Sequence, residues 1–426
     1  MLNHRAAAKT FILVTIMLDM IALGIMVPVF QPLVLSFTHG SYAEASLLSG
    51  VFAMLFAAVA FFASPIQGVL SDRFGRRPIV LLSNLGTTID YAILALAPSV
   101  GWLFFGRLLA GATTASISVA SAYIADVTPE DKRASAYGMI SAAFGVGFVV
   151  GPAIGGWLAA FGGLRLPFWV AGALSLVNFL YGFFVLPESL SKEHRNSFSW
   201  KRANPFGSVK MLRRHGELAG LAVVMLIGYV AHEALPQLFV LYTMLSYGWT
   251  TAKIGTSLAV VGIFTIIISA FVVGPLVKKL GERISLLAGL LFGAIGFCMY
   301  AGNELLFWIA IPVNMLWMIA TSCSQAIMTR RVAKNEQGEL QGAIQMLRSI
   351  GMIVGPPVFT GTFAYSVSDA HIWKAPGIAW AVGGALLLVS LVVAYFVTTP
   401  SDNVVEAVDT TVALEAAVPA DVPLLE

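Results

Sequence analysis

Twelve mostly apolar stretches, each reaching the roughly 20 residues that a membrane-spanning helix needs, leave this chain few folds to choose from. They run near 10–35, 44–67, 79–98, 101–125, 135–160, 167–187, 217–245, 253–277, 284–302, 305–329, 340–365 and 375–398, with Gly, Pro and charge clusters between them. In lipid every backbone polar group must be satisfied within the chain, and segments of this length do so as helices. Only 11% of the 426 residues are Asp, Glu, Lys or Arg and 58% are hydrophobic. Soluble domains carry about a quarter charged residues, so the bilayer is this chain's main solvent. The expected fold is all-α and integral to the membrane, with twelve transmembrane helices. The first stretch is too long for a signal-peptide core and is read as helix one.

Charge sets the expected orientation. With the N-terminus inside, twenty of the 25 Lys and Arg residues fall in cytoplasmic segments, and the external loops hold only Arg165, Lys253 and Lys374. This asymmetry places both termini in the cytoplasm. Residues 188–215 form the one long polar interruption, a basic linker in which Phe198, Trp200, Phe206 and Leu212 interleave with charge. Such a segment suits the anionic inner leaflet or a simple solvated tether. It divides an N-terminal six-helix bundle, 1–187, from a C-terminal one, 216–398. Residues 399–426 carry six acidic and no basic side chains, the composition of a disordered cytoplasmic tail.

The halves repeat one another. The segment from Gly68 to Pro78, with Asp72, Arg73, Gly75, Arg76 and Arg77, reads as a tight basic turn between two helices. A degenerate copy runs from Gly274 to Arg283, with Gly, Leu, Gly and Arg at matching offsets. Gly138, Gly147, Gly151 and Pro152 align likewise with Gly342, Gly351, Gly355 and Pro356. A duplicated membrane unit implies a transporter with two pseudo-symmetric six-helix bundles. Gly147, Gly151 and Gly155 strip one face of helix five and let a neighbouring helix approach closely.

Several function classes are excluded. No Gly-x-x-x-x-Gly-Lys-Ser/Thr loop occurs, so the energy source is expected to be an ion gradient. The basic residues sit at loop ends and imply no nucleic-acid partner. Cys298 and Cys323 are isolated and suit buried structural roles, not a metal site. No cofactor is expected beyond protons as coupling ion.

Five ionisable residues fall within predicted helices: Asp19, Asp90, Arg107, Glu233 and Arg348. A charge at mid-bilayer costs roughly 2.5–3.5 kcal/mol on insertion scales, so each marks a functional candidate. Counting helical rise, Asp19 and Arg348 lie roughly 13 Å from the cytoplasmic end, Asp90 about 18 Å and Glu233 about 24 Å. Desolvation favours a neutral carboxyl group and a nearby arginine an ionised one, the balance a proton carrier must alternate. Asp19, Asp90 and Glu233 are the candidates for proton coupling. Arg107 sits on the next antiparallel helix at Asp90's height and reads equally as its permanent partner. Glu233 follows His232 in a helix interrupted at Pro236, and Arg348 can counter a carboxylate or contact a substrate anion.

These residues resemble the drug/proton antiporters of the major facilitator superfamily, closest to the tetracycline/proton antiporter branch. The resemblance covers nearly the whole chain. It is carried by Asp19 with Gly24 and Pro28, the Gly68–Arg77 loop, Asp90-Tyr91, Gly106-Arg107-Leu108-Leu109-Ala110-Gly111, and the helix-five motif of Gly147, Gly151, Pro152, Gly155 and Gly156. His232 to Pro236, Tyr247-Gly248-Trp249 and Leu340-Gln341-Gly342 extend it into the second half. By this resemblance the loop is a cytoplasmic gate, in which Asp72 caps the helix beginning near Pro78 and Arg76 reaches Asp126. Where tetracycline antiporters carry a histidine in helix eight and an aspartate in helix nine, this chain has Thr265 and Gly293. The implied function is export of a drug-sized amphiphile against protons by a monomer in a bacterial inner membrane. The alternatives are a transporter of one endogenous metabolite, such as a siderophore or cell-wall fragment, and a non-transporting receptor or membrane enzyme.

Overall fold

The computed structural model describes residues 2–114, 116–129, 132–200, 204–205, 209–333, 336–368 and 374–403. The expected tail from residue 404 and Phe206 of the linker lie outside them. Among the described residues eleven helical segments are long and apolar enough to cross a membrane, and the shorter apolar helix Val100–Thr113 occupies the remaining one of the twelve stretches. The first three are α1 (Leu2–Phe37), α2 (Tyr42–Phe74) and α3 (Arg76–Leu96). The fourth comes in two pieces, α4 (Val100–Thr113) and α5 (Ser116–Val127), before α6 (Arg133–Gly162) and α7 (Leu166–Val185). A short linker helix, α8 (Val209–Arg214), leads into the second half.

There the seventh span is split into α9 (Gly216–His232) and α10 (Ala234–Tyr247), and the eighth into α11 (Thr251–Ile267) and α12 (Val273–Leu280). The ninth is α13 (Glu282–Tyr300), the tenth α14 (Glu304–Met315) with α15 (Met318–Arg330), the eleventh α16 (Gln337–Val367) and the twelfth α17 (Ile378–Val397). Pro400–Asn403, assigned from the sequence to the tail, form a 3₁₀ turn held by Asp402 on Arg331 at 2.7 Å.

The seventh span breaks at Glu233, three residues before the proline that signals it. Pro236 cannot donate to the carbonyl of His232 and its ring crowds that group, so α9 stops at His232. Proline then falls in the first turn of α10, where backbone N–H groups have no partner within the helix anyway. The eighth span bends through a π turn at Ile268–Val272.

The duplication recurs as backbone geometry. Gly75 and Gly281 both take positive φ, 108° and 78°, and each ends one helix and opens the next. Their N–H groups donate to Ser71 at 3.1 Å and to Val277 at 2.8 Å, equivalent residues of the repeat. Glycine is favoured at both turns because a side chain strains that conformation.

The halves meet along α1 with α10, α2 with α16, and α6 with α11. Two ends of the bundle can be told apart: the linker end, which carries the Gly75 turn, and the far end. At the far end Gln31 donates to the carbonyls of Pro236 and Gln237 at 3.2 and 2.9 Å, and Ser46 donates to Thr360 at 3.1 Å. Backbones touch there too, since a Cβ on Gly156 would lie 3.0 Å from the Gly255 Cα. At the linker end Gly68, Gly138, Gly274 and Gly338 face open space. Those hydrogen bonds and backbone contacts join the halves at the far end.

Candidate functional site

The embedded charges sort into three settings. Asp90 of α3 and Arg107 of α4 form an ion pair, with side chains 3% and 8% exposed. Gly106 makes room for it, because a Cβ there would lie 2.8 Å from Asp90 Oδ1. The Arg107 guanidinium also sits over the Phe30 ring of α1, 5.2 Å from its centroid. The pair is sealed into the first half.

Asp19 of α1 is half-buried and accepts from Asn178 Nδ2 of α7 at 2.7 Å. The same amide donates to the Thr15 carbonyl at 3.0 Å, so its orientation is fixed by backbone. Asn178 is wholly buried, and its signal in the sequence is a lone amide in the apolar stretch 167–187.

In the second half Glu233 is buried at the break between α9 and α10, and its backbone carbonyl accepts from the Gln237 N–H at 3.2 Å. Gly355 of α16 accommodates it, since a Cβ there would meet the Glu233 Cβ at 2.4 Å. Arg348 lies two turns earlier on α16. It is exposed and makes no hydrogen bond or ion pair with any described residue. Gln341 and Gln345 are exposed beside it at helical spacing, giving the linker-end half of α16 a polar stripe. His232 lies against Trp317, with ring centroids 6.1 Å apart.

At the linker end Arg76 gathers the loop. Its Nη1 donates to Asp72 Oδ1 at 2.5 Å and to Ser71 Oγ at 2.7 Å, and its Nε to Asp126 Oδ2 at 3.2 Å. The Arg76–Asp126 contact expected from the sequence is made, but the capping is not. Asp72 binds the Arg76 side chain, while the first N–H groups of α3 go to Glu188. The helix starts at Arg76, two residues before the proline, which puts Asp72 a full turn too early to reach its amides. Arg73 faces solvent beside Phe74, its guanidinium 5.2 Å from that ring.

The second half holds a counterpart with inverted charges. Glu282, which follows Gly281 as Arg76 follows Gly75, accepts from Arg330 at the end of the tenth span at 2.6 Å. Acid and base have changed places, which hid the pair from motif matching.

The glycines of helix five are a docking face for α1. A Cβ on Gly147 would lie 2.4 Å from that of Met20, on Gly151 2.6 Å from the Gly24 Cα, and on Gly155 2.1 Å from the Ile25 carbonyl oxygen. Pro152 Cδ closes the other side of Gly24, and Gly156 turns instead to α11. In the second half Gly351 meets Tyr229 and Gly355 meets Glu233. The same contact thus holds Gly24 in one half and a carboxylate in the other. Thr265 Oγ1 is spent on the Val261 carbonyl at 2.8 Å, and Gly293 is walled in by Trp317 and Leu387, leaving no room there for an aspartate.

The comparisons with known proteins agree with this geometry. Residues 12–356 and 264–415 match the Major Facilitator Superfamily. The class C tetracycline resistance protein of Escherichia coli is 39% identical over 387 residues, covering 90% of this chain and 95% of that one. The class E protein of the same organism is 34% identical over 90% and 93%. Among solved structures, the nucleoside transporter NupG overlays with a TM-score of 0.76 at 12% identity, covering 92% of this chain and 98% of that one. The human organic anion transporter MFSD10 does so at 0.67 and 20%, covering 92% and 99%. The chain belongs to the major facilitator superfamily, in the branch of the tetracycline resistance proteins, and is a membrane transporter, not an enzyme.

Proposed function

We propose that this protein exports a drug-sized amphiphilic compound in exchange for protons, with the linker end and both termini in the cytoplasm. The observation that carries the reading is a chain of contacts at the broken seventh span. The Glu233 backbone carbonyl accepts from the Gln237 N–H at 3.2 Å, and the Gln237 backbone carbonyl accepts from Gln31 Nε2 of the opposite half at 2.9 Å. A proton arriving at or leaving Glu233 acts at the break whose backbone holds Gln237, and Gln237 is part of the far-end closure. Chemistry at one carboxyl group is thereby tied to which side of the transporter is shut.

Asp19, held by Asn178 in the first half, is the second proton site. Asp90 is assigned to structure, since it is ion-paired with the buried Arg107 inside the first half. Antiport requires that substrate and proton disfavour one another's binding, equally in both directions by linkage. Tetracycline is the first compound to try, because the relatives are tetracycline resistance proteins. The test is accumulation of tetracycline and of lipophilic cations in everted vesicles under an imposed proton gradient, with a protonophore as control. Gradient-dependent uptake supports export by antiport, and uptake indifferent to the protonophore refutes it.

A second reading is favoured by Arg348, an exposed guanidinium without a partner among the described residues. It suits a selective transporter of one anionic metabolite. Arg348→Gln would then abolish movement of anions and leave cations untouched.

A further inference from the structure

This inference rests on reading the Gly68–Arg77 loop as the cytoplasmic gate. Gly75 precedes α3 and offers no side chain to cap it, so the first amides of the helix need acceptors from elsewhere. Glu188, just beyond α7, supplies them: Oε1 accepts from Arg76 N–H at 2.8 Å and Oε2 from Arg77 N–H at 3.3 Å. A carboxylate is also the favoured charge at a helix N-terminus. Oε1 takes Leu190 N–H at 3.1 Å as well, which fixes the carboxylate to its own segment.

The loop is moulded around this group. A Cβ on Gly75 would lie 2.2 Å from Glu188 Oε2 and 3.0 Å from Arg195 Nη2. Neighbouring contacts run to both acids that hold Arg76. Ser189 Oγ donates to Asp126 Oδ2 at 3.1 Å, and Asn196 N–H donates to the Asp72 carbonyl at 3.0 Å. Tyr123 OH pins the Pro187 carbonyl at 2.8 Å. At the other end of the linker Arg214 and His215 bind Glu336 at 3.1 and 3.0 Å, beside the start of α16. One segment is anchored on the gating loop of the first half and on the eleventh span of the second.

We propose that Glu188 is a positioning residue of the cytoplasmic gate. It fixes the start of α3 so that Arg76 is presented to Asp72 and Asp126, and it makes residues 187–196 part of the gate instead of a slack tether. A passive linker explains neither a carboxylate shared between two helix amides nor a glycine whose missing side chain is filled by that carboxylate.

Hydrogen exchange of the full chain in detergent tests this without any substrate, so its outcome is independent of the transport reading. Glu188→Gln keeps the shape and removes the charge. Peptides covering 72–79 and 187–196 should then exchange together about five- to tenfold faster, the loss expected for a helix cap. The turn at Gly281 should stay unchanged, and Glu188→Asp should recover part of the protection. Ser189→Ala, which deletes one hydrogen bond to the Asp126 carboxylate and leaves the Glu188 cap in place, should raise exchange in the same two segments by a smaller factor and serves if the glutamine variant does not fold. Unchanged loop amides, or acceleration confined to 187–196, would overturn the proposal.

Discussion

Removing Arg107 should cost far more than removing Arg107 and Asp90 together. Arg107→Ala leaves the Asp90 carboxylate facing Gly106 in a site almost closed to water. Breaking a buried ion pair from one side costs about 3–5 kcal/mol. Loss of the cation above Phe30 adds about 0.5–2 kcal/mol. Native stabilities are of order 5–15 kcal/mol, so the single variant should reach the membrane in severalfold lower amount. Asp90→Leu with Arg107→Met strands no charge and fills similar volume, an exchange that is often neutral or stabilising. The assay is a double-variant cycle, reading the fraction of protein that stays monodisperse after heating in detergent. The double variant should survive better than either single one. Singles that match the wild type, or a double variant as weak as the two losses added, would refute the account of Asp90 as a structural partner.

The far-end closure can be tested from both sides. A Cβ on Gly50 would lie 2.0 Å from Thr360 Oγ1, so Gly50→Ala should hold the far end apart and raise maleimide labelling of a cysteine placed at the buried Ser49. Thr360→Ala removes two of the three atoms in the way and should restore slow labelling in the double variant. Gln31→Ala deletes two hydrogen bonds between the halves and should shift the same labelling toward the open state by about 1–3 kcal/mol. At the linker end, reversing Glu282 and Arg330 singly should slow transport, and reversing both together should recover it. Reversing both together keeps the pair, so the amount of folded protein in the double variant should match the wild type.

The spans were legible because each must satisfy its backbone alone over a fixed thickness, a constraint that hydropathy and length express directly. The repeat was legible too, since Gly75 and Gly281 carry the same backbone demand. Pro236 announced a broken helix, but placing the break at Glu233 depends on the His232 carbonyl four residues upstream of the proline. What pairs with what was less visible. Asp90 and Arg107 could be matched by height on consecutive helices, whereas Asp19 and Asn178 come from the first and sixth spans, and nothing local joins them. Glu188 was unreadable as a cap because its partner amides lie more than a hundred residues away. The Glu282–Arg330 pair escaped because its charges are inverted relative to Arg76 and Asp126, so residue matching saw divergence where the geometry is preserved.

Proton release on addition of substrate tests the central claim most directly. Everted vesicles are loaded with a proton gradient, a pH dye reports the lumen, and tetracycline is added to the outside. Wild-type vesicles should release protons, whereas Asp19→Asn and Glu233→Gln vesicles with equal amounts of inserted protein should not. Normal release in both carboxylate variants would contradict the proposed proton route.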